Sequence, residues 1–154
     1  MRRVVVLVVA IVVVTFLTSY FITLLPSAQK QQNGVRLLNA SFSLSSVKSG
    51  EPVVLTVRVA NELNDSVYVD VLLSIGGEVE KYVEVAGFNI KKIREGTWLW
   101  NLGLMPPGSE IKHVAKLTFN IPSGIAEIKY RLRAEFIANG TTFDSKDLLI
   151  KVSG

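Results

Sequence analysis

The chain contains no cysteine. Disulfide staples, thiolate metal sites and cysteine nucleophiles are excluded at once. Histidine occurs once, as His113, which leaves no multi-histidine metal centre to assemble. No acidic residue precedes Glu51, and from Val4 to Leu25 there is no charge, no glycine and no proline. That gap is the most informative of the absences. A helix over residues 4–25 is roughly 33 Å long at about 1.5 Å per residue, against a hydrocarbon core of roughly 30 Å. The sequence therefore predicts a transmembrane helix over 4–25, and a lipid membrane is the first expected partner.

Arg2 and Arg3 directly precede the apolar run. Positive residues stay on the cytoplasmic side, so residues 1–3 are expected inside and the remainder outside. Lys30 on the outer flank opposes two arginines. A cleaved signal peptide is the rival, but its apolar core runs to about 7–15 residues and ends at a small-x-small site. Here the run is longer, and Pro26-Ser27-Ala28 places proline where a small residue is wanted. The expectation is a retained signal anchor: a single-pass cell-membrane protein with its C-terminal domain extracytoplasmic. Pro26 closes the apolar run. Residues 26–34 then form a polar linker that holds every glutamine in the chain.

Lysine and arginine number 17 against 13 acids. With Arg2 and Arg3 set aside the outer part is nearly balanced, so the charge is partly a topology signal. It gives no clustered basic face of the kind that nucleic acid requires.

From Val35 the period changes from helix to strand. Val53, Leu55, Val57 and Val59 share one face. Val67, Val69, Val71, Leu73 and Ile75 do the same, as do Val79, Val83 and Val85. So do Ile111, Ala115, Leu117, Phe119 and Ile121; Ile128, Tyr130, Leu132, Ala134 and Phe136; and Leu148, Ile150 and Val152. Such alternation gives strands with one buried and one wet face. Ser49 to Pro52, Asn61 to Asp65, Gly76-Gly77, Pro106-Pro107-Gly108, Pro122 to Gly124 and Asn139-Gly140 separate these runs. Gly76-Gly77 and Asn139-Gly140 carry the signature of tight hairpins. The expected fold of residues 35–154 is all-β: an antiparallel immunoglobulin-like β-sandwich of about seven or eight strands, with a barrel as the alternative.

Ser49-Gly50-Glu51-Pro52-Val53-Val54-Leu55-Thr56-Val57-Arg58-Val59-Ala60-Asn61 resembles a strand of CARDB-like surface immunoglobulin-like modules. Leu104-Met105-Pro106-Pro107-Gly108-Ser109-Glu110 is similar to their proline-glycine turn. The resemblance spans about residues 35–153. It implies a prokaryotic, archaeal-type surface domain serving adhesion, scaffolding or cell-wall contact. One membrane helix plus one sandwich is also similar to archaellum-associated and pilin-like subunits. The chain departs from the type IV pilin pattern, having no glutamate near the start of the apolar run and no glycine before it.

His113 lies on the face of Ile111 and Ala115, where a lone histidine packs or caps, so no catalytic base, metal or cofactor is expected, and no enzyme. Trp98 and Trp100 lie two apart and share one face of a strand, as core or as an aromatic platform. With Lys91, Lys92 and Arg94 just upstream they make segment 87–101 the best candidate binding surface. An acidic glycan or an S-layer or other envelope protein is the expected partner. Asn61, Glu62, Asn64 and Asp65 crowd one loop, but the glycine-punctuated spacing of calcium loops is absent. Asn39, Asn64 and Asn139 each begin a glycosylation acceptor triplet. The first strand near Leu37–Leu44 and the last near Leu148–Val152 are the expected pairing edges if the protein forms a homo-oligomer.

Overall fold

The computed structural model describes residues 34–76 and 79–154, and the expected membrane helix at 4–25 lies outside them. Among the described residues no helix is long and apolar enough to cross a membrane. They form ten strands and one 3-10 turn, Glu80–Tyr82. The strands are β1 (Val35–Phe42), β2 (Ser46–Lys48), β3 (Pro52–Asn61), β4 (Val67–Ser74), β5 (Val83–Ala86), β6 (Ile90–Arg94), β7 (Thr97–Met105), β8 (Glu110–Phe119), β9 (Glu127–Ala138) and β10 (Thr141–Ser153).

Two sheets result. The smaller has order β1-β3-β8-β5 and the larger β2-β10-β9-β4-β7-β6. Every pairing is antiparallel except the short parallel contact of β2 with Lys151–Ser153 of β10. The inward residues of both sheets join in one buried cluster. Phe119 of β8 packs on Tyr130 of β9 at 5.1 Å between ring centroids, and His113 of β8 meets Trp100 of β7 edge-on at 6.2 Å. These contacts join one sheet to the other. The alternation read from the sequence supplies this core: Val53, Leu55, Val57, Val59, Val67, Val69, Val71 and Leu73 are all buried.

The connections differ from expectation at two places. Gly77, half of the expected Gly76-Gly77 hairpin, lies outside the described residues, and the strands on either side do not pair with each other. β4 pairs with β7 and β9, and the chain then crosses to the other sheet, where β5 pairs with β8. The expected strand through Val79 begins only at Val83, after the 3-10 turn. Asn61–Asp65, the Pro106–Gly108 turn and the Pro122–Gly124 loop all carry the chain between sheets. Two connections are true hairpins, β6–β7 and β9–β10. In the second, Asn139 and Gly140 take φ of 47° and 79°, the left-handed backbone that this turn demands. In the first, Gly96 has φ 67°, and a β-carbon there would lie 2.5 Å from the Ile75 carbonyl oxygen.

The strands give the molecule two ends. At one, Gly34 accepts a hydrogen bond from the Glu62 amide, Asn61 donates from its amide to Ser109, and Asn139 donates to Tyr68. This end gathers the start of β1, the β3–β4 and β7–β8 connections and the β9–β10 hairpin. The opposite end holds the β6–β7 hairpin, the β8–β9 loop and Gly154.

Candidate binding surface

The segment singled out in the sequence, 87–101, covers the β5–β6 connection, β6 and most of β7. β6 bonds only to β7, so it is the free edge of the larger sheet. Lys91, Lys92, Ile93 and Arg94 are all exposed there. Lys92 is tied to the Glu95 carboxylate at 2.9 Å. Arg94 donates through Nε to the Thr97 hydroxyl at 3.3 Å. Register slips between Lys92 and Arg94, giving a bulge. A bulge with flanking cations hinders strand addition at this edge.

The tryptophans do not share this surface. Trp98 is 3% exposed and Trp100 fully buried, opposite Leu73 and Val71 of β4. An aromatic platform needs an exposed ring face, and these two face the core. Spacing of two placed them on one side of the strand, and the sheet turns that side inward. Within this segment the exposed aromatic residue is Phe88, 78% accessible at the entrance to β6. It falls in an irregular connection, where no periodicity signals which way a side chain points. Beside it an open hollow of about 390 Å³ is lined by Asn89, Ile90, Lys91, Leu99 and Asn101. Asn89 holds a left-handed φ of 56°, and its carbonyl accepts from the Asn101 amide at 3.0 Å. The Asn101 side chain donates to Asp70 Oδ1 at 2.8 Å. A cation, two side-chain amides and an apolar floor thus meet in one shallow site, directly after Phe88 in sequence.

His113 sits on the inward face of β8, opposite Val57 and against Trp100. Among the described residues no three of histidine, aspartate and glutamate gather as metal ligands. The oxygen-rich loop after β3 is occupied internally. Asn61 is buried, its side-chain amide donates to the carbonyls of Asp65, Met105 and Pro106, and its oxygen accepts from the Leu63 amide. The only sequence signal for this latch was a polar residue continuing the inward face of β3.

The acceptor asparagines differ in surroundings. Asn64 is exposed in the β3–β4 connection. The Asn139 oxygen accepts from the Tyr68 amide at 2.9 Å, which commits that side chain to the hairpin. Asn39 is half-buried in β1 at a register slip, and donates to the Ser41 hydroxyl at 3.1 Å. Of the expected edges, β1 is free on one side, whereas the end of β10 is covered by β2.

No family model matches the chain, and no curated protein matches it. Solved structures do. AvmM, which catalyses macrocyclization in alchivemycin A biosynthesis, is 9% identical with a TM-score of 0.50, over 80% of this chain and 90% of that one. The alkylpurine DNA glycosylase AlkC of Pseudomonas fluorescens is 10% identical with a TM-score of 0.49, and BcpA, the major pilin subunit of Bacillus cereus, 11% with 0.48. The chain spans 31% of that AlkC chain and 40% of that BcpA chain. Identities this low carry a likeness of fold and nothing of activity.

Proposed function

We propose that this chain is a non-catalytic, membrane-anchored surface protein whose two sheets form an immunoglobulin-like sandwich on the extracytoplasmic side. Residues 4–25 hold it in the bilayer, and the sandwich binds or scaffolds an envelope component. The resemblance of segments 49–61 and 104–110 to CARDB-like modules supports this reading. Tethering keeps the binding surface at high local concentration beside the membrane.

The observation that carries the binding role is the hollow at the β6 edge, lined by Lys91 with Asn89 and Asn101, with the exposed Phe88 next to it in sequence. A cation beside amide groups and an exposed ring suits an acidic sugar: the charge attracts it, the amides bond its hydroxyls and the ring covers its apolar face. The test uses residues 34–154 on an immobilised acidic polysaccharide such as hyaluronate. The wild-type domain is expected to be retained at low ionic strength and released by salt. K91E/R94E is expected to flow through with an unchanged melting temperature. Equal elution of both proteins contradicts the assignment.

A second reading, a subunit of a surface filament or an archaellum- or pilus-associated assembly, draws on the free edge of β1. Concentration-dependent growth of the soluble domain in light scattering favours it, and a constant monomer mass opposes it.

A further inference from the structure

We propose that the end of the domain bearing Gly34 rests on the lipid surface, with Tyr68, Leu104 and the Pro106-Pro107 turn in the headgroup region. The inference rests on the membrane-anchor reading above. It adds an orientation and a contact that the anchor alone does not require.

The first argument is the place where the chain enters. Gly34 and Val35 are fixed into this end, through the Glu62 amide and through the pairing of Val35 with Asn61. Only residues 26–33 separate it in sequence from the apolar run. Eight residues reach at most about 28 Å even fully extended. The opposite end lies further away by the length of β3, ten residues or about 33 Å.

The second argument is what this end presents. Tyr68 and Leu104 are cross-strand partners on the outer face of the larger sheet. They are 58% and 52% exposed and adjacent; the next outward carboxylate, Asp70, is bonded to Asn101, and further along the same face Arg133 pairs with Glu135 and Lys151 with Glu127. Pro106, Pro107 and Gly108 continue the exposed surface past Leu104. Tyrosine is favoured at headgroup depth because its ring is apolar and its hydroxyl wet.

The third argument is rigidity. The Asn61 side chain binds the β3–β4 connection to the carbonyls of Met105 and Pro106, and Asn139 binds the β9–β10 hairpin to Tyr68. These segments therefore meet a surface as one unit. Charge does little here. Glu62 is paired with Arg36 at 3.0 Å and Arg58 with Glu110, and among the described residues Asp65 has no ion-pair partner. The contact is apolar, and it should resist salt.

The chain lacks cysteine, so single labels are clean. The full chain carrying a spin label at Leu104→Cys, or at Ile125→Cys as an apolar control on the opposite end, is reconstituted in nanodiscs of zwitterionic lipid with a nickel-chelating headgroup. Relaxation at residue 104 is expected to exceed that at 125 several-fold, at low and high salt alike. Adding Y68E to the labelled Leu104→Cys chain should reduce the difference. Equal relaxation at the two sites overturns the docking while the chain remains in the disc. A label at 104 shielded from both lipid-bound nickel and aqueous relaxant also overturns it, by showing a protein partner on the patch. A chain that does not enter the disc overturns the anchor and this inference together.

Discussion

Asn61 is the residue on which the Gly34 end depends. It stands on the inward face of β3 where a valine would continue the pattern, and its side chain answers three carbonyls and one amide. Removing it leaves buried carbonyls without donors, at about 1–3 kcal/mol for each stranded group. Asn61→Ala should lower the unfolding free energy by about 2–3 kcal/mol in urea, more than Asn64→Ala in the same loop. Tyr130 is the second such residue. Its hydroxyl donates to the Asn120 carbonyl. Burial, and then the neighbouring Tyr82, raises its pKa. The folded chain thus keeps a proton that the unfolded phenol releases near pH 10. The stabilisation is complete below about pH 10 and is lost as pH rises from there through the folded value. Tyr130→Phe should cost about 1 kcal/mol at pH 7 and flatten the alkaline fall, as denaturant melts at several pH values can measure. Gly96→Ala forces a β-carbon against the Ile75 carbonyl at a left-handed φ. A loss of about 2 kcal/mol or more is expected, read as a drop in melting temperature.

Strand existence was legible because alternation is a local property. Most inward sets from Val53 to Val152 read directly from period two and are buried; the set begun at Val79 fails, because a 3-10 turn precedes β5. Destination was not legible. A turn sequence announces that the chain changes direction, and it does not say whether the next strand returns to the same sheet. Gly76-Gly77 reads as a hairpin, yet β4 finds its partners 23 or more residues later in sequence. The same limit applies to the candidate site. Trp98 and Trp100 share a face, and only the second sheet decides that this face is inward. Lys91 and Arg94 are exposed, and the strand that carries them, β6, had no alternation in the sequence to announce it. Phe88, in an aperiodic connection, needed coordinates. The β6 edge, with its bulge and cations, should resist strand addition. Replacing Lys91, Lys92 and Arg94 together by threonine is expected to make residues 34–154 aggregate faster at equal stability, as light scattering reports.

At the scale of the whole molecule, the sequence divides into a charge-free stretch and a β unit that spans the described residues. The first, read as a helix, would match a bilayer core in length, and the second buries its own apolar faces in one cluster. The cysteine-free background gives the most direct test. Ser123 is exposed in the β8–β9 loop, and Ser123→Cys should react with a membrane-impermeant maleimide on intact cells, to the same extent before and after permeabilisation. Labelling that appears only after the cells are opened would place the β unit inside and contradict the account.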